Sequence, residues 1–173
     1  MRYRELGRTG LEISEIGFGA EWMEKKSAAE VRAVVERCEK AGINILDCWM
    51  AGPEVRSNLG AALAGTRDRW IIQGHIGSTW QDGQYVRTRD MNLVRPAFED
   101  LLARLGTDHV ELGMIHYVDD IDEYEGIMAG SSSNTCARSK PPASSGTSGC
   151  PPTRPRWRSE PRCPARSKPS CSA

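Results

Sequence analysis

Between residues 17 and 116 short apolar runs alternate with stretches of helical periodicity, and that alternation restricts the fold more than any other property of the chain. "SAAEVRAVVERCEKAG" is predicted to be helical: Ser27 and Glu30 make a capping-box pair, Val31, Val34, Val35 and Cys38 share one face, and Gly42 supplies the stop. "PEVRSNLGAALAG" has Pro53 at a helix start and Val55, Leu59, Ala62 and Leu63 on one side. "RDMNLVRPAFEDLLARLG" sets Val94, Ala97, Phe98, Leu101, Leu102 and Leu105 at helical spacing. Among these helices "INILD", "RWIIQGHIG" and "HVELGMIH" read as short buried strands. "RYRELGRTGLEISEIGFG" reads as a small hairpin around Gly7 to Gly10, followed by a first strand ending near Gly17 to Gly19.

Units of about 30 residues in the order β-α-β-α-β-α-β imply a parallel sheet with crossover helices, either doubly wound or closed into a barrel. No G-x-G-x-x-G lies between the first strand and its helix, which argues against a dinucleotide-binding doubly wound sheet. A (β/α)8 barrel needs about 250 residues and eight strands. Four strands are visible, so the expected fold is α/β, the N-terminal half of such a barrel with about four β-α units.

The pattern stops near residue 130. Residues 131–173 hold eight Lys/Arg against one acidic residue, eight of the ten prolines, four of the six cysteines, eleven serines, and no Leu, Ile, Val, Phe or Met. Without large aliphatic side chains a segment cannot bury enough apolar surface to offset chain entropy. The expected organisation is therefore a partial barrel over residues 1–130 and a disordered Ser/Pro/Arg-rich tail over residues 131–173. The chain's equal totals of 23 basic and 23 acidic residues hide this division, because the first 130 residues carry 15 basic against 22 acidic side chains. Composition alone would permit a basic-tailed binding module. The tail's single aromatic, Trp157, offers little surface for base stacking, and no nucleic-acid partner is expected.

Cys136, Cys150, Cys163 and Cys171 lack the paired C-x-x-C spacing of zinc and iron-sulfur sites, so no metal is expected. The first 130 residues contain only Cys38 and Cys48, no Arg-rich leader and no apolar run long enough for a signal peptide or membrane span. A reducing cytoplasm is the expected setting, with no membrane partner.

In a parallel α/β protein functional groups gather at the carboxyl ends of strands, where Asp47, His75 and His116 fall. "YRELGRTGLEISEIGFG" resembles the opening of the aldo-keto reductases. "AGINILD" resembles the strand that delivers their catalytic aspartate, and "DHVELGMIH" the strand that delivers their catalytic histidine. "LDCWMAGPEVRSNLG" and "WIIQGHIGSTWQDGQYVRTRD" look closer to a bacterial branch that often carries a C-terminal ferredoxin-like module. The resemblance implies hydride exchange between NADPH and a small-molecule carbonyl substrate. In the family a tyrosine supplies the proton and a lysine-aspartate pair lowers its pKa. It assigns the aspartate to Asp47, the carbonyl-orienting histidine to His116, and the cofactor-contacting turn to Gly19 and Ala20, with Asp47 beside them.

Two family positions differ here. The segment after Asp47 runs Cys48-Trp49-Met50-Ala51-Gly52-Pro53-Glu54 without the expected tyrosine, and His75 stands at or near the lysine's place. A phenol titrates near 10 without such help, whereas imidazole titrates near neutrality. His116 or His75 is therefore expected to act as general acid, with Tyr85, in the long connection after the third strand, the best-placed replacement tyrosine. Trp49, Trp80 and Tyr117 are candidates for a substrate-pocket wall.

In the family the fourth strand is followed by a helix and then by a fifth strand close to G-x-I-R-x-I-G-x-S, which the tail lacks as written. Read one base out of register, with synonymous codons chosen to suit, residues 132–153 give "FLEYVRALQAAGIIRHLGMSTH", an amphipathic helix followed by that strand. A frameshifted tail is therefore expected. A half-barrel would lack most of the family's NADPH contacts, leaving it inactive or impaired. The alternative is a non-catalytic half-barrel that self-associates through its open sheet edges.

Overall fold

The computed structural model describes residues 1–130. The expectations of a disordered tail and of a shifted reading register fall on residues 131–173, outside the described residues.

A hairpin of β1 (Tyr3–Glu5) and β2 (Glu12–Ser14) opens the chain. It is tied to the body through Asn44, whose side chain accepts from the Ser14 N–H at 2.8 Å and donates to the Glu12 carbonyl at 2.9 Å. β3 (Phe18–Gly19), β4 (Ile45–Cys48), β5 (Ile71–Ile76) and β8 (Leu112–Ile115) then form one parallel four-stranded sheet in chain order. The sheet is α/β with the expected strand order, half of a (β/α)8 barrel.

The connecting helices are α1 (Ala28–Ala41), α2 (Pro53–Leu63) and α3 (Met91–Leu105). α1 begins at the capping box read from the sequence: the Ser27 hydroxyl accepts from the Glu30 N–H and the Glu30 carboxylate accepts from the Ser27 N–H. It ends at Gly42, whose φ of 79° lies in the left-handed region. Val31, Val35 and Cys38 of α1, Val55, Leu59 and Leu63 of α2, and Leu101 and Leu105 of α3 are buried against Leu46, Cys48 and Ile72 of the sheet. α2 and α3 cross so closely at Gly60 that an added Cβ would stand 2.0 Å from the Arg104 carbonyl oxygen.

Alternation along the strands divides the two faces. Leu46, Cys48 and Ile72 point to the helices, whereas Asp47, Gln73 and His75 occupy the half-buried positions of the inner face. At the amino ends, the Glu111 carboxylate accepts both from Arg67 and from the Ile72 N–H at 2.7 Å, which joins the third and fourth parallel strands below the site.

Two elements were not anticipated. The connection after β5 folds into a second hairpin, β6 (Ser78–Gln81) and β7 (Gln84–Arg87). Its turn is Asp82-Gly83, with φ of 49° and 80°. After β8, α4 (Ile121–Ala129) starts at Asp120, whose carboxylate accepts from the Asp122 and Glu123 N–H groups.

Candidate active site

Strand register brings the expected residues together. Gly19 pairs with Asp47, and Asp47 with Gln73, across adjacent strands. His75 lies two residues further along β5 than Gln73, and so on the same face. His116 directly follows β8, and its N–H donates to the Ile76 carbonyl at 2.9 Å, prolonging the β5–β8 pairing by one bond.

Their side chains form a continuous line. Asp47 Oδ1 lies 2.9 Å from His75 Nε2, His75 Nδ1 lies 2.8 Å from His116 Nδ1, and His116 Nε2 lies 2.7 Å from the Tyr85 hydroxyl. The β6–β7 hairpin delivers Tyr85 over the carboxyl ends of the sheet. Gln73, which the sequence reading did not single out, donates its amide to the same Asp47 oxygen at 2.9 Å.

Trp49, after β4, lies parallel to the His116 ring at 5.5 Å between centroids and meets Tyr85 edge-on at 5.4 Å. Tyr117 meets His116 edge-on at 5.6 Å between centroids. Two of the three expected wall aromatics, Trp49 and Tyr117, thus contact the His116 ring. Trp80 instead approaches Gly52 at the start of α2. Tyr117 has a φ of 56°, and its carbonyl accepts from Arg87 at 2.8 Å and Arg89 at 2.9 Å. These arginines hold the strained residue that follows His116.

Electrostatics differ along the line. Burial opposes ionisation of Asp47, but the hydrogen bond and charge of His75, with the Gln73 amide, outweigh it and hold the carboxyl below its usual range. His116 is 5 % exposed. Burial, followed by the repulsion of His75, Arg89 and Arg87, pushes its imidazole down to about 4, so it is neutral at pH 7. Burial raises the Tyr85 phenol above its ordinary value.

With both imidazoles neutral the donor sequence is fixed by the acceptor-only carboxylate. His75 Nε2–H donates to Asp47, His116 Nδ1–H donates to His75, and Tyr85 O–H donates to His116. When His75 carries a second proton, the His75–His116 and His116–Tyr85 bonds reverse while His75 Nε2–H still donates to Asp47. A proton can therefore move along the line without any ring rotating.

Gly19 is exposed at the carboxyl end of β3, with no atom within 4 Å of where a Cβ would stand, and buried Ala20 opens a 3-10 turn, Ala20–Met23, whose Trp22 is exposed. Among the described residues no cluster of His, Cys, Asp and Glu could hold a metal ion, and no helix is long and apolar enough to cross a membrane.

No family model matches the chain. It is 31 % identical over 132 residues to an uncharacterized oxidoreductase, YqkF, of Bacillus subtilis, covering 71 % of this chain and 42 % of the relative. The aldo-keto reductase YhdN of the same organism is 28 % identical over 135 residues, covering 70 % and 39 %. A solved putative aldo-keto reductase from Pseudomonas aeruginosa superimposes with a TM-score of 0.66 at 29 % identity, over 78 % of this chain and 53 % of that one.

The chain belongs to the aldo-keto reductase family. The chain spans about two fifths of the length of the curated relatives it matches. Of the two departures from the family pattern, the histidine at position 75 lies within the hydrogen-bonded line, between Asp47 and His116.

Proposed function

We propose that this aldo-keto reductase domain comes from a lineage that carries out NADPH-dependent reduction of a small-molecule carbonyl, with activity impaired in this chain and with Asp47, His75 and His116 as the catalytic residues. The observation that carries the reading is the unbroken chain of hydrogen bonds joining all three at the carboxyl ends of neighbouring strands. The described residues fit one end of the cofactor: Gly19 leaves open space beside Asp47, and Gly19, Ala20 and Asp47 would hold the nicotinamide portion. When bound, the reduced nicotinamide supplies the hydride. Asp47 anchors His75, His75 passes or takes a proton at Nδ1, and His116 sits between the two arms of the site, neutral at working pH. Trp49 stacks on its ring and Tyr117 meets it edge-on.

The proposed setting is the cytoplasm, with neither nucleic acid nor membrane as partner. For residues 131–173 we propose a frameshifted stretch, which sequencing the DNA across codons 125 to 175 tests: a neighbouring open frame encoding a helix and further strands supports it, and its absence removes it.

A second reading, a non-catalytic half-barrel that self-associates, is favoured by Met114, exposed on β8, and by the absence of a strand beyond β3 or β8 among the described residues. Calorimetric titration of NADPH and NADH into the chain separates the two. Saturable binding with NADPH preferred supports the reductase, and no heat above dilution supports the inert half-barrel.

A further inference from the structure

Resting on the carbonyl-reduction reading, we propose that Tyr85 is the group that hands the proton to the substrate oxygen, and that the His116–His75–Asp47 line reloads it. Tyr85 would thereby stand in for the tyrosine missing after Asp47, and the His116–His75–Asp47 line for the lysine missing at position 75.

Geometry singles out Tyr85 over either histidine. His116 is buried, with Nδ1 committed to His75 and Nε2 covered by the Tyr85 hydroxyl. His75 lies between Asp47 and His116, both nitrogens engaged. Tyr85 is 39 % exposed and stands at the open end of the line, held edge-on by Trp49 and His116. A substrate oxygen can reach its hydroxyl without displacing any member of the chain. It arrives on a tight hairpin rather than a loose loop: Trp80 pairs with Tyr85 across the strands, and the Thr79 hydroxyl donates to the Val86 carbonyl at 2.7 Å.

The step balances. The new C–H bond takes the hydride, the carbonyl π pair moves to oxygen, and that oxygen takes the Tyr85 proton to give an alcohol. The relay starts from the form in which His75 carries a second proton and His116 is protonated at Nε2: the phenolate oxygen recovers the His116 Nε2 proton, and His116 Nδ1 takes the His75 Nδ1 proton. His75 keeps its Nε2–H on Asp47 and is recharged by solvent. One hydride and one proton are consumed, the nicotinamide is oxidised and the carbonyl reduced. An isolated phenol is a poor acid at pH 7, and passing the charge back to the His75–Asp47 pair removes the need to leave a bare phenolate.

The test is imidazole nitrogen NMR of the full chain, read beside turnover with NADPH and an aldehyde. With His75 neutral, His116 is expected to be protonated at Nδ1 and bare at Nε2, and a second proton on His75 is expected to move the His116 proton to Nε2. Tyr85→Phe should shift the Nε2 resonance, and Asp47→Asn should change the His116 tautomer balance across His75. In turnover, Tyr85→Phe is expected to lose about 100-fold or more in kcat with NADPH affinity unchanged. As a second variant, Trp49→Phe loosens the Tyr85 seat while keeping the hydroxyl and should lower kcat less. A His116 Nε2 signal indifferent to Tyr85→Phe, or a kcat that survives it, overturns the proposal. Failure of the wild-type chain to bind NADPH instead overturns the reductase reading beneath it.

Discussion

His116 has the most perturbed environment in the site, and its sign of effect on stability is determined. Its imidazole titrates near 4 in the fold against 6.5 when unperturbed, so between those values the unfolded chain binds the extra proton and the folded one does not. The contribution is intact above pH 6.5, is lost as pH falls toward 4, and changes no further below that. A depression of this size corresponds to a loss on the order of 3 kcal/mol. Denaturant unfolding of the wild type and of His116→Gln across pH 4 to 7 checks this, because the variant should lack the slope in that window. Asp47, with its carboxyl held below the ordinary range, adds a loss only at lower pH, as it protonates. Asp47, His75 and His116 were legible in the sequence because each ends a strand of a parallel sheet. Gln73 was missed, although its position two residues before His75 on a strand was the available signal. Arg56 was missed as well: it is 2 % exposed, yet donates to the Met50 and Ala97 carbonyls and to Asp100, and a charge inside an amphipathic helix pattern gives no sign of such burial.

At the scale of elements, the helices and parallel strands followed from periodicity and caps, and two tests address them. Ser27→Ala removes the acceptor at the start of α1 and is expected to cost about 1 kcal/mol in thermal or denaturant unfolding. Gly60→Ala meets the backbone of α3, which cannot yield as a flexible side chain can. It should cost about 1–3 kcal/mol or more, with α2 and α3 forced apart. The β6–β7 hairpin was read as a long connection because Ser78–Gln81 and Gln84–Arg87 lack a clean apolar alternation. The Asp82-Gly83 dipeptide was the overlooked cue, since both residues take positive φ there. α4 was missed because Asp120 caps a stretch of only nine residues, too short to show a periodic face.

At the scale of the whole molecule, half a barrel leaves an inner face that carries both the site and an exposed stripe. Met114 is 42 % exposed there, and β8 pairs on one side alone among the described residues. Under the half-barrel reading, sedimentation of the chain should show concentration-dependent association, and Met114→Lys should weaken it by placing a charge inside the edge. Under the reductase reading the same face receives cofactor and carbonyl. The most direct measurement is the rate at which the full chain oxidises NADPH in the presence of an aldehyde, compared with His116→Asn. The account predicts measurable turnover in the wild type and a loss of about 100-fold or more in the variant. Turnover unchanged by His116→Asn would contradict it, as would a wild-type chain that binds NADPH and the aldehyde yet transfers no hydride.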